Sequence, residues 1–241
     1  MALRAEKTAK TIPPSLSIDP LVASTKAGPI HMALFITFEG IDGSGKSTQA
    51  RRLADHLRAR GTDVILTREP GGSAGAEEIR RLLVEGAPDR WSAETEILLF
   101  TAARRDHLEK TILPALEAGK TVISDRFADS TRVYQGATRG DLRAHVDRLH
   151  AEMIGREPDL TFVVDMDPDT ALHRGLARKS GEDRFEDFGA AFQVKLRAGF
   201  LDLAAQFPTR CCLIDGNRAI EDVAAEVARR AEEALAAQAT A

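Results

Sequence analysis

The sequence predicts an α/β fold with a doubly wound, five-stranded parallel sheet in three layers, with helices on both faces. Five short runs are rich in β-forming residues, and most are almost continuously apolar, as parallel strands covered on both faces usually are. Helical stretches with apolar residues three and four positions apart separate these runs. Alternating strands and helices favour right-handed crossovers within a single sheet.

The predicted elements follow in chain order. The strands are Leu34–Glu39, Asp63–Thr67, Thr121–Ser124, Leu160–Asp165 and Cys211–Asp215. The first helix places Ala50, Leu53, Ala54 and Leu57 on one face, and Gly61 stops it. A longer helix covers roughly Ala93–Ala118 and ends at Gly119, and the last covers roughly Ile220–Ala237.

The first 33 residues have a different character from the rest of the chain. They contain Pro13, Pro14, Pro20 and Pro29 and show no sustained hydrophobic period. We expect residues 1–33 to be a disordered segment or an N-terminal extension ahead of the folded domain. Residues 34–241 are then expected to form one domain, with a small lid at about residues 173–186.

Composition and charge exclude several classes of protein. Apolar residues make up 43% of the chain and charged residues 29%, which is ordinary for a globular protein. The net charge of −4 disfavours a nucleic-acid-binding protein. The two cysteines, Cys211 and Cys212, are adjacent and suit neither a disulfide framework nor a metal site. No apolar run has the length of a membrane span or the form of a secretory signal, so we expect a cytoplasmic protein with no membrane partner.

A glycine-rich motif joins the first strand to the first helix. The pattern Gly40-x-x-x-x-Gly45-Lys46-Ser47 is a P-loop, whose backbone N–H groups point at phosphate oxygens. Lys46 is expected to reach the β- and γ-phosphates of a nucleotide, and the Ser47 hydroxyl to bind Mg²⁺. The motif predicts a P-loop NTPase fold. The predicted ATP-binding residues are Gly40, Ile41, Asp42, Gly43, Ser44, Gly45, Lys46, Ser47 and Thr48.

The third predicted strand narrows the class of P-loop protein. It ends at Asp125, which could serve as a carboxylate near Mg²⁺, and Arg126 follows at once. An arginine at the carboxyl end of a strand beside the P-loop indicates a second phosphate in the same crevice. No Asn-Lys-x-Asp motif for guanine is present. These residues therefore favour phosphoryl transfer between two nucleotides, with an ATP-driven switch as the alternative.

Several further blocks occur together in the chain. They are Thr67-Arg68-Glu69-Pro70-Gly71-Gly72, Leu99-Phe100-Thr101-Ala102-Ala103-Arg104-Arg105, Asp125-Arg126-Phe127, Tyr134-Gln135-Gly136, Pro158-Asp159-Leu160 and Asp183-Arg184-Phe185-Glu186. With these blocks in this order, the chain resembles bacterial thymidylate kinases over about residues 34–235. The P-loop alone is generic, whereas the combination of the other blocks is specific.

The resemblance implies a pocket for the base and sugar of dTMP. Phe100 would stack on the thymine ring, and Arg104, one turn along the same helix, would donate to a thymine carbonyl. Gln135 would contact the base, with Thr131 beside it. Tyr134 would pack under the deoxyribose and disfavour a 2′-hydroxyl.

The resemblance also implies groups for phosphate and metal. Arg126 and Arg80 would bind the phosphate of dTMP, and Asp42 would lie near the sugar hydroxyl of the acceptor. Glu69 would help to hold Mg²⁺ or its waters. The implied metal ligands are Ser47, Glu69 and Asp125. The implied dTMP-binding residues are Asp42, Glu69, Arg80, Phe100, Arg104, Arg126, Thr131, Tyr134 and Gln135.

Catalytic charge is expected to come from the lid. Some thymidylate kinases carry an arginine inside the P-loop at the position that Gly43 occupies here. The basic segment of residues 173–186 resembles a lid that supplies the missing arginine, and we favour Arg178 over Arg184 for this role. The expected catalytic residues are Lys46, Asp42, Arg126, Arg178 and Arg184.

The resemblance as a whole implies transfer of the γ-phosphoryl group of ATP to dTMP with Mg²⁺, giving dTDP and ADP for dTTP synthesis. It implies a homodimer, with the helix over Ala93–Ala118 as a candidate interface. Two alternatives stay open: another nucleoside monophosphate kinase or deoxynucleoside kinase, and a P-loop protein that binds ATP as a switch.

Overall fold

The chain's computed structural model describes residues 33–87, 89–137, 140–176 and 189–239. Its strands form one parallel five-stranded sheet in the order β2-β3-β1-β4-β5. The strands are β1 Phe35–Glu39, β2 Val64–Arg68, β3 Thr121–Asp125, β4 Leu160–Asp165 and β5 Cys211–Asp215. The predicted sheet is confirmed, with strand ends within one residue of expectation. The predicted extension lies outside the described residues apart from Ala33.

Helices connect the strands along the chain. They are α1 Lys46–Ala59, α2 Ala74–Val84, α3 Ala93–His107, α4 Leu113–Glu117, α5 Ala128–Thr131, α6 Arg143–Met153, α7 Pro168–Leu176, α8 Ala190–Gln206 and α9 Ile220–Ala239. The long helix predicted over Ala93–Ala118 consists of α3, a π-helical turn at Leu108–Ile112 and α4. A second π-helical turn, Arg132–Ala137, follows α5. Among the described residues, no helix has both the length and the apolar character that a membrane crossing requires.

One face of the sheet is covered by the first and last helices. Leu53 and Leu57 of α1 pack against Ile36 and Phe38 of β1 in a buried cluster that Val227 of α9 completes. Burying each such side chain contributes roughly 1.5–3 kcal/mol, so this face is a major source of stability.

The opposite face is covered by the central helices. Phe35 and Val122 pack against Ile112 of the π-helical turn, while Val163 packs in a cluster with Phe200 of α8. Side chains at adjacent positions of β1 therefore enter different clusters, because successive residues of a strand point to opposite faces. Helices on both faces confirm the three-layer α/β fold.

The central position of β1 brings the functional loops together. β1 pairs with β3 on one side and with β4 on the other, and Phe38 lies opposite Asp125 in the register. The P-loop after β1 and Arg126 after β3 therefore leave the sheet side by side. This is the switch point at which ligands bind in open α/β sheets.

Candidate active site

The P-loop closes around the side chain of Lys46. The backbone at Gly40, Gly43 and Gly45 has φ values of 135°, 83° and 98°, which side chains with a Cβ rarely adopt. The Lys46 ammonium is buried and donates a 2.7 Å hydrogen bond to the carbonyl of Ile41 across the loop. Since α1 begins at Lys46, its N-terminal N–H groups provide a phosphate site.

A cavity of about 400 Å³ opens at this loop. It is lined by Asp42, Gly43, Gly45, Lys46, Ser47, Arg68, Glu69, Arg80, Asp125 and Arg126. The cavity brings the P-loop residues together with both predicted phosphate-binding arginines, Arg80 and Arg126. Arg68 also lines it, although sequence reasoning assigned that residue no role in the site.

Arg126 is held in a strained conformation. Its φ of 72° lies in the left-handed region, which costs a non-glycine residue about 1–3 kcal/mol. Its backbone N–H donates to the carbonyl of Phe38, and the Ser124 hydroxyl donates to its carbonyl. The guanidinium donates to Asp42, to Ser130 Oγ at 2.8 Å and to the Tyr134 hydroxyl at 3.1 Å. The strained backbone thus aims a fixed guanidinium at the P-loop.

Glu39 is linked to Arg126 through the Ser130 hydroxyl, and the sequence analysis gave it no role. Its fully buried carboxylate accepts from the Phe127 N–H at 2.7 Å and from Ser130 Oγ at 2.6 Å. Burial raises the pKa of Glu39 to about 7, the nearby Asp129 charge adds to the rise, and Arg126 opposes it. Glu39 thereby fixes the backbone and the hydroxyl that flank the arginine.

Asp42 and Lys46 are two charged residues that line the cavity. The Tyr134 hydroxyl donates a 2.6 Å hydrogen bond to Asp42. Burial by itself would raise the pKa of Asp42, but the charges of Arg126 and Lys46 outweigh it and hold the pKa at about 2. Burial and repulsion from Arg126 lower the pKa of Lys46 to about 8, against the attraction of Asp42. Asp42 is therefore ionised at neutral pH.

The residues expected to contact the base lie together beside the cavity. Arg104 is buried and donates from Nη2 to Thr131 Oγ1 at 3.0 Å and to the carbonyl of Phe127 at 3.2 Å. Gln135 donates to the buried Glu96 at 3.0 Å, a partner that the sequence did not reveal. Phe100 lies partly buried on α3, one turn before Arg104.

Both carboxylate oxygens of Glu69 contact neighbouring side chains. Its Oε2 accepts from Arg104 Nε at 2.8 Å, and its Oε1 contacts His107 Nδ1 at 3.0 Å. These contacts hold Arg104. Glu69 also lines the cavity, and its role as a metal ligand stays a prediction. Ser47 and Asp125 both line the cavity, and no group of three or more His, Cys, Asp or Glu residues in the described part suits a metal. The hydroxyl of Ser47 and the carboxylate of Asp125 are oxygen donors of the kind that fits Mg²⁺, which usually keeps waters and binds substrate phosphates.

Gly43 packs against α7, just ahead of the predicted lid of residues 173–186. A Cβ added to Gly43 would lie 1.9 Å from the carbonyl oxygen of Ala171 on α7. The P-loop here therefore has no room for the arginine found at this position in some related enzymes. Arg178 and Arg184, the predicted catalytic arginines, lie outside the described residues.

Comparisons with known proteins show which family the chain resembles. The thymidylate kinase family model matches residues 38–227. A thymidylate kinase of Dinoroseobacter shibae is 76% identical over 192 residues, covering 80% of this chain and 93% of the relative. A thymidylate kinase of Caulobacter vibrioides is 53% identical over 195 residues, covering 80% of this chain and 93% of the relative.

A solved structure extends the likeness to the fold. The crystal structure of a thymidylate kinase from Ehrlichia chaffeensis is 38% identical and has a TM-score of 0.66. The match covers 82% of this chain and 97% of that one. The residues matched by the family model, 38–227, include the P-loop, Arg126 and α3. This chain belongs to the thymidylate kinase family.

Proposed function

We propose that the protein transfers the γ-phosphoryl group of ATP to dTMP in the cavity between the P-loop and Arg126, giving dTDP and ADP. Family membership makes the protein a phosphotransferase that acts on thymidylate. The observation that carries the residue-level proposal is the position of Arg126 beside the P-loop, in one cavity of about 400 Å³. A cytoplasmic location is part of the proposal, because both substrates are metabolites of that compartment.

The proposal assigns the cavity two phosphate sites. The P-loop and Lys46 bind the phosphates of ATP, while Arg126 and Arg80 bind the phosphate of dTMP. Ser47 and Asp125 hold Mg²⁺, which neutralises charge on the transferred group. Alignment of the two phosphates and neutralisation of charge supply most of the catalysis in such reactions.

The proposal assigns the base to the α3 side of the site. Phe100 stacks on thymine, and Arg104 donates to a ring carbonyl. Gln135 contacts the base, and Thr131 lies beside it. Tyr134 packs under the deoxyribose. Tyr134 is buried, and its hydroxyl is fixed by Asp42, so the surface beneath the sugar is rigid.

The lid supplies the remaining positive charge in this proposal. Support comes from Gly43, where the backbone of Ala171 excludes a P-loop side chain. Arg178 is the favoured residue, with Arg184 as the alternative. The values of kcat for Arg178→Ala and Arg184→Ala decide between them, because the catalytic arginine acts on the transition state.

A coupled assay of ATP consumption with Mg²⁺ tests the function directly. We expect ADP release to depend on dTMP, with kcat/KM for dTMP exceeding that for dCMP, dGMP and UMP by about 10²-fold or more. Cytosine has an amino group in place of one thymine carbonyl, guanine is a larger purine, and UMP carries the 2′-hydroxyl that Tyr134 disfavours. Comparable rates with another monophosphate or a deoxynucleoside would favour one of the other kinases. ATP hydrolysis indifferent to dTMP would favour an ATP-driven switch.

We also propose that the protein is a homodimer whose interface includes α3. Leu82 of α2, Leu98 of α3 and Met153 of α6 are large apolar side chains left exposed, and α3 packs against both of the other helices. Leu98 is the most exposed of the three, at 59%.

A charge at Leu98 should therefore weaken the dimer. We expect Leu98→Glu to shift the sedimentation coefficient from dimer to monomer at micromolar concentration, because an unpaired charge would be buried at the interface. Val194→Glu, on an exposed α8 side chain, is the matched control and should leave the assembly unchanged. A monomeric wild type, or a dimeric Leu98→Glu, would contradict this interface.

A further inference from the structure

A series of buried and partly buried hydrogen bonds runs from Thr67 of β2 to Arg104 on the base side of the site. Thr67 Oγ1 lies 2.7 Å from His107 Nε2, and His107 Nδ1 lies 3.0 Å from Glu69 Oε1. Glu69 Oε2 then accepts from Arg104 Nε at 2.8 Å. His107 is completely buried, and the Glu69 and Arg104 side chains are each less than 5% exposed. Charged groups at such depth require partners, and this series of hydrogen bonds provides them.

The hydrogen-bonding roles along the series follow from the carboxylate. Glu69 pairs with the Arg104 guanidinium and so acts as an acceptor, which requires His107 Nδ1 to carry a proton. When the Nδ1–H tautomer is the one present, Nε2 accepts from the Thr67 hydroxyl. Each group thus fixes the orientation of the next, and the tautomer of His107 is set by its two partners.

The backbone at Gly72 leaves room for the hydrogen bond between Thr67 and His107. A Cβ at Gly72 would lie 2.3 Å from His107 Nε2 and 2.4 Å from Thr67 Oγ1, so the glycine is needed for the two side chains to meet. The Thr111 hydroxyl, in the π-helical turn after His107, donates to the Gly72 carbonyl at 2.8 Å. π-Helical turns often occur at functional sites, and this one ties α3 to the Gly72 loop.

The series of hydrogen bonds ends at the guanidinium of Arg104, which has one nitrogen without a partner among the described residues. Nε and Nη2 of Arg104 are occupied by Glu69, Thr131 and the Phe127 carbonyl. Nη1 has no hydrogen-bond partner among the described residues. The fixed contacts leave this one donor for a ligand, and its direction depends on how Glu69 is held.

We propose that His107 and Glu69 are positioning residues that orient Arg104 for recognition of the acceptor base, with Thr67 anchoring the series. The inference rests on the proposed function, in which Arg104 donates to a thymine carbonyl. A guanidinium can only donate, so an aligned Arg104 favours the thymine carbonyl that cytosine replaces with an exocyclic amino group. Loss of alignment lowers this discrimination as well as the affinity for dTMP.

The test compares two variants of similar size at His107. His107→Leu removes both hydrogen bonds, whereas His107→Asn keeps an N–H donor near the position of Nδ1. We expect His107→Leu to raise KM for dTMP about 10-fold and to lower the dTMP-to-dCMP ratio of kcat/KM about 10-fold, with KM for ATP within about 2-fold. His107→Asn should stay within about 3-fold of wild type on all three measures.

Further variants keep the proposal open to refutation. Thr67→Val preserves shape and should raise KM for dTMP about 3-fold without changing KM for ATP, which decides the matter if His107→Leu fails to fold. Arg104→Met should reproduce the loss of discrimination. An unchanged dTMP-to-dCMP ratio in His107→Leu or Arg104→Met, or a parallel rise of both KM values, overturns the proposal. Failure of the proposed function appears separately, as a wild-type enzyme that does not require dTMP.

Discussion

Arg126→Met should lower kcat/KM for dTMP about 10³-fold at saturating ATP. The guanidinium donates to the P-loop carboxylate of Asp42 and lines the cavity. In the proposed function it also binds the acceptor phosphate there. Removing it deletes charge-assisted hydrogen bonds to a phosphate in a buried site, where such donors are worth about 10²–10³-fold each. It also leaves Asp42 without its main counter-charge, which would then repel the incoming phosphate.

Two control variants separate the charge of Arg126 from its geometry and its backbone. Arg126→Lys keeps the charge without the planar fork and should recover only part of the activity. Arg126→Gly relieves the left-handed strain at φ 72° while losing the side chain, so it should fold well and stay inactive. Activity that survives in Arg126→Gly would show that the guanidinium is not required.

A surface arginine provides the remaining control for this prediction. Arg229 of α9 is 56% exposed and pairs with Glu233 one turn along the helix. Exposed pairs of this kind contribute little, so Arg229→Met should leave kcat/KM within about 2-fold. A similar loss in Arg229→Met and Arg126→Met would mean that the assay reports stability and not phosphate binding.

The strands of the sheet were predictable because each one is a continuous run of residues with a recognisable composition. Runs such as Leu160–Asp165 are apolar throughout, and burial on both faces requires that pattern. The strand order was not predictable, since it depends on pairing between strands far apart in the chain. α8 escaped prediction because burial does not follow polarity there: Gln193 is buried, whereas Val194 is 56% exposed.

The π-helical turn at Leu108–Ile112 also escaped the sequence analysis. Its residues continue the apolar pattern of the helix predicted over Ala93–Ala118, and only the backbone hydrogen bonds reveal the wider turn. The turn matters because it ties the end of α3, next to His107, to the loop at Gly72.

The sequence likewise revealed some residues of the candidate site and not others. The P-loop and Arg126 were visible as short motifs, because phosphate binding uses neighbouring residues on one loop. Glu39, Glu96 and His107 gave no signal, since a polar residue in an element looks the same whether it faces solvent or a buried partner. Their importance comes from contacts between distant segments, such as the bond from Glu39 to the Ser130 hydroxyl.

Gly43→Ala should lower kcat/KM for ATP about 10²-fold or more. The added methyl would lie 1.9 Å from the carbonyl oxygen of Ala171, and a backbone oxygen in a helix cannot rotate away. Either the P-loop or α7 must shift by about 1 Å, and displacements of that size at a reacting centre can cost 10²-fold. Steady-state kinetics with ATP varied at saturating dTMP measures the effect.

Gly61→Ala is the matched control for strain in the backbone. Gly61, just after α1, has φ 84°, almost the same as the 83° of Gly43, but no atom lies within 4 Å of the position that a Cβ would take there. Its substitution should cost roughly 1–2 kcal/mol of unfolding free energy with kinetics within about 2-fold. Equal kinetic losses in both variants would assign the effect to backbone strain and not to the contact with Ala171.

Gly43→Arg distinguishes a missing charge from a missing space. If the P-loop lacked only the arginine that some related enzymes carry, this variant would keep or raise kcat. The Ala171 carbonyl predicts the opposite result, a loss at least as large as that of Gly43→Ala, since every side chain begins with the same Cβ. That outcome would mean that α7 and an arginine in the P-loop exclude each other, so a catalytic arginine has to come from outside the loop.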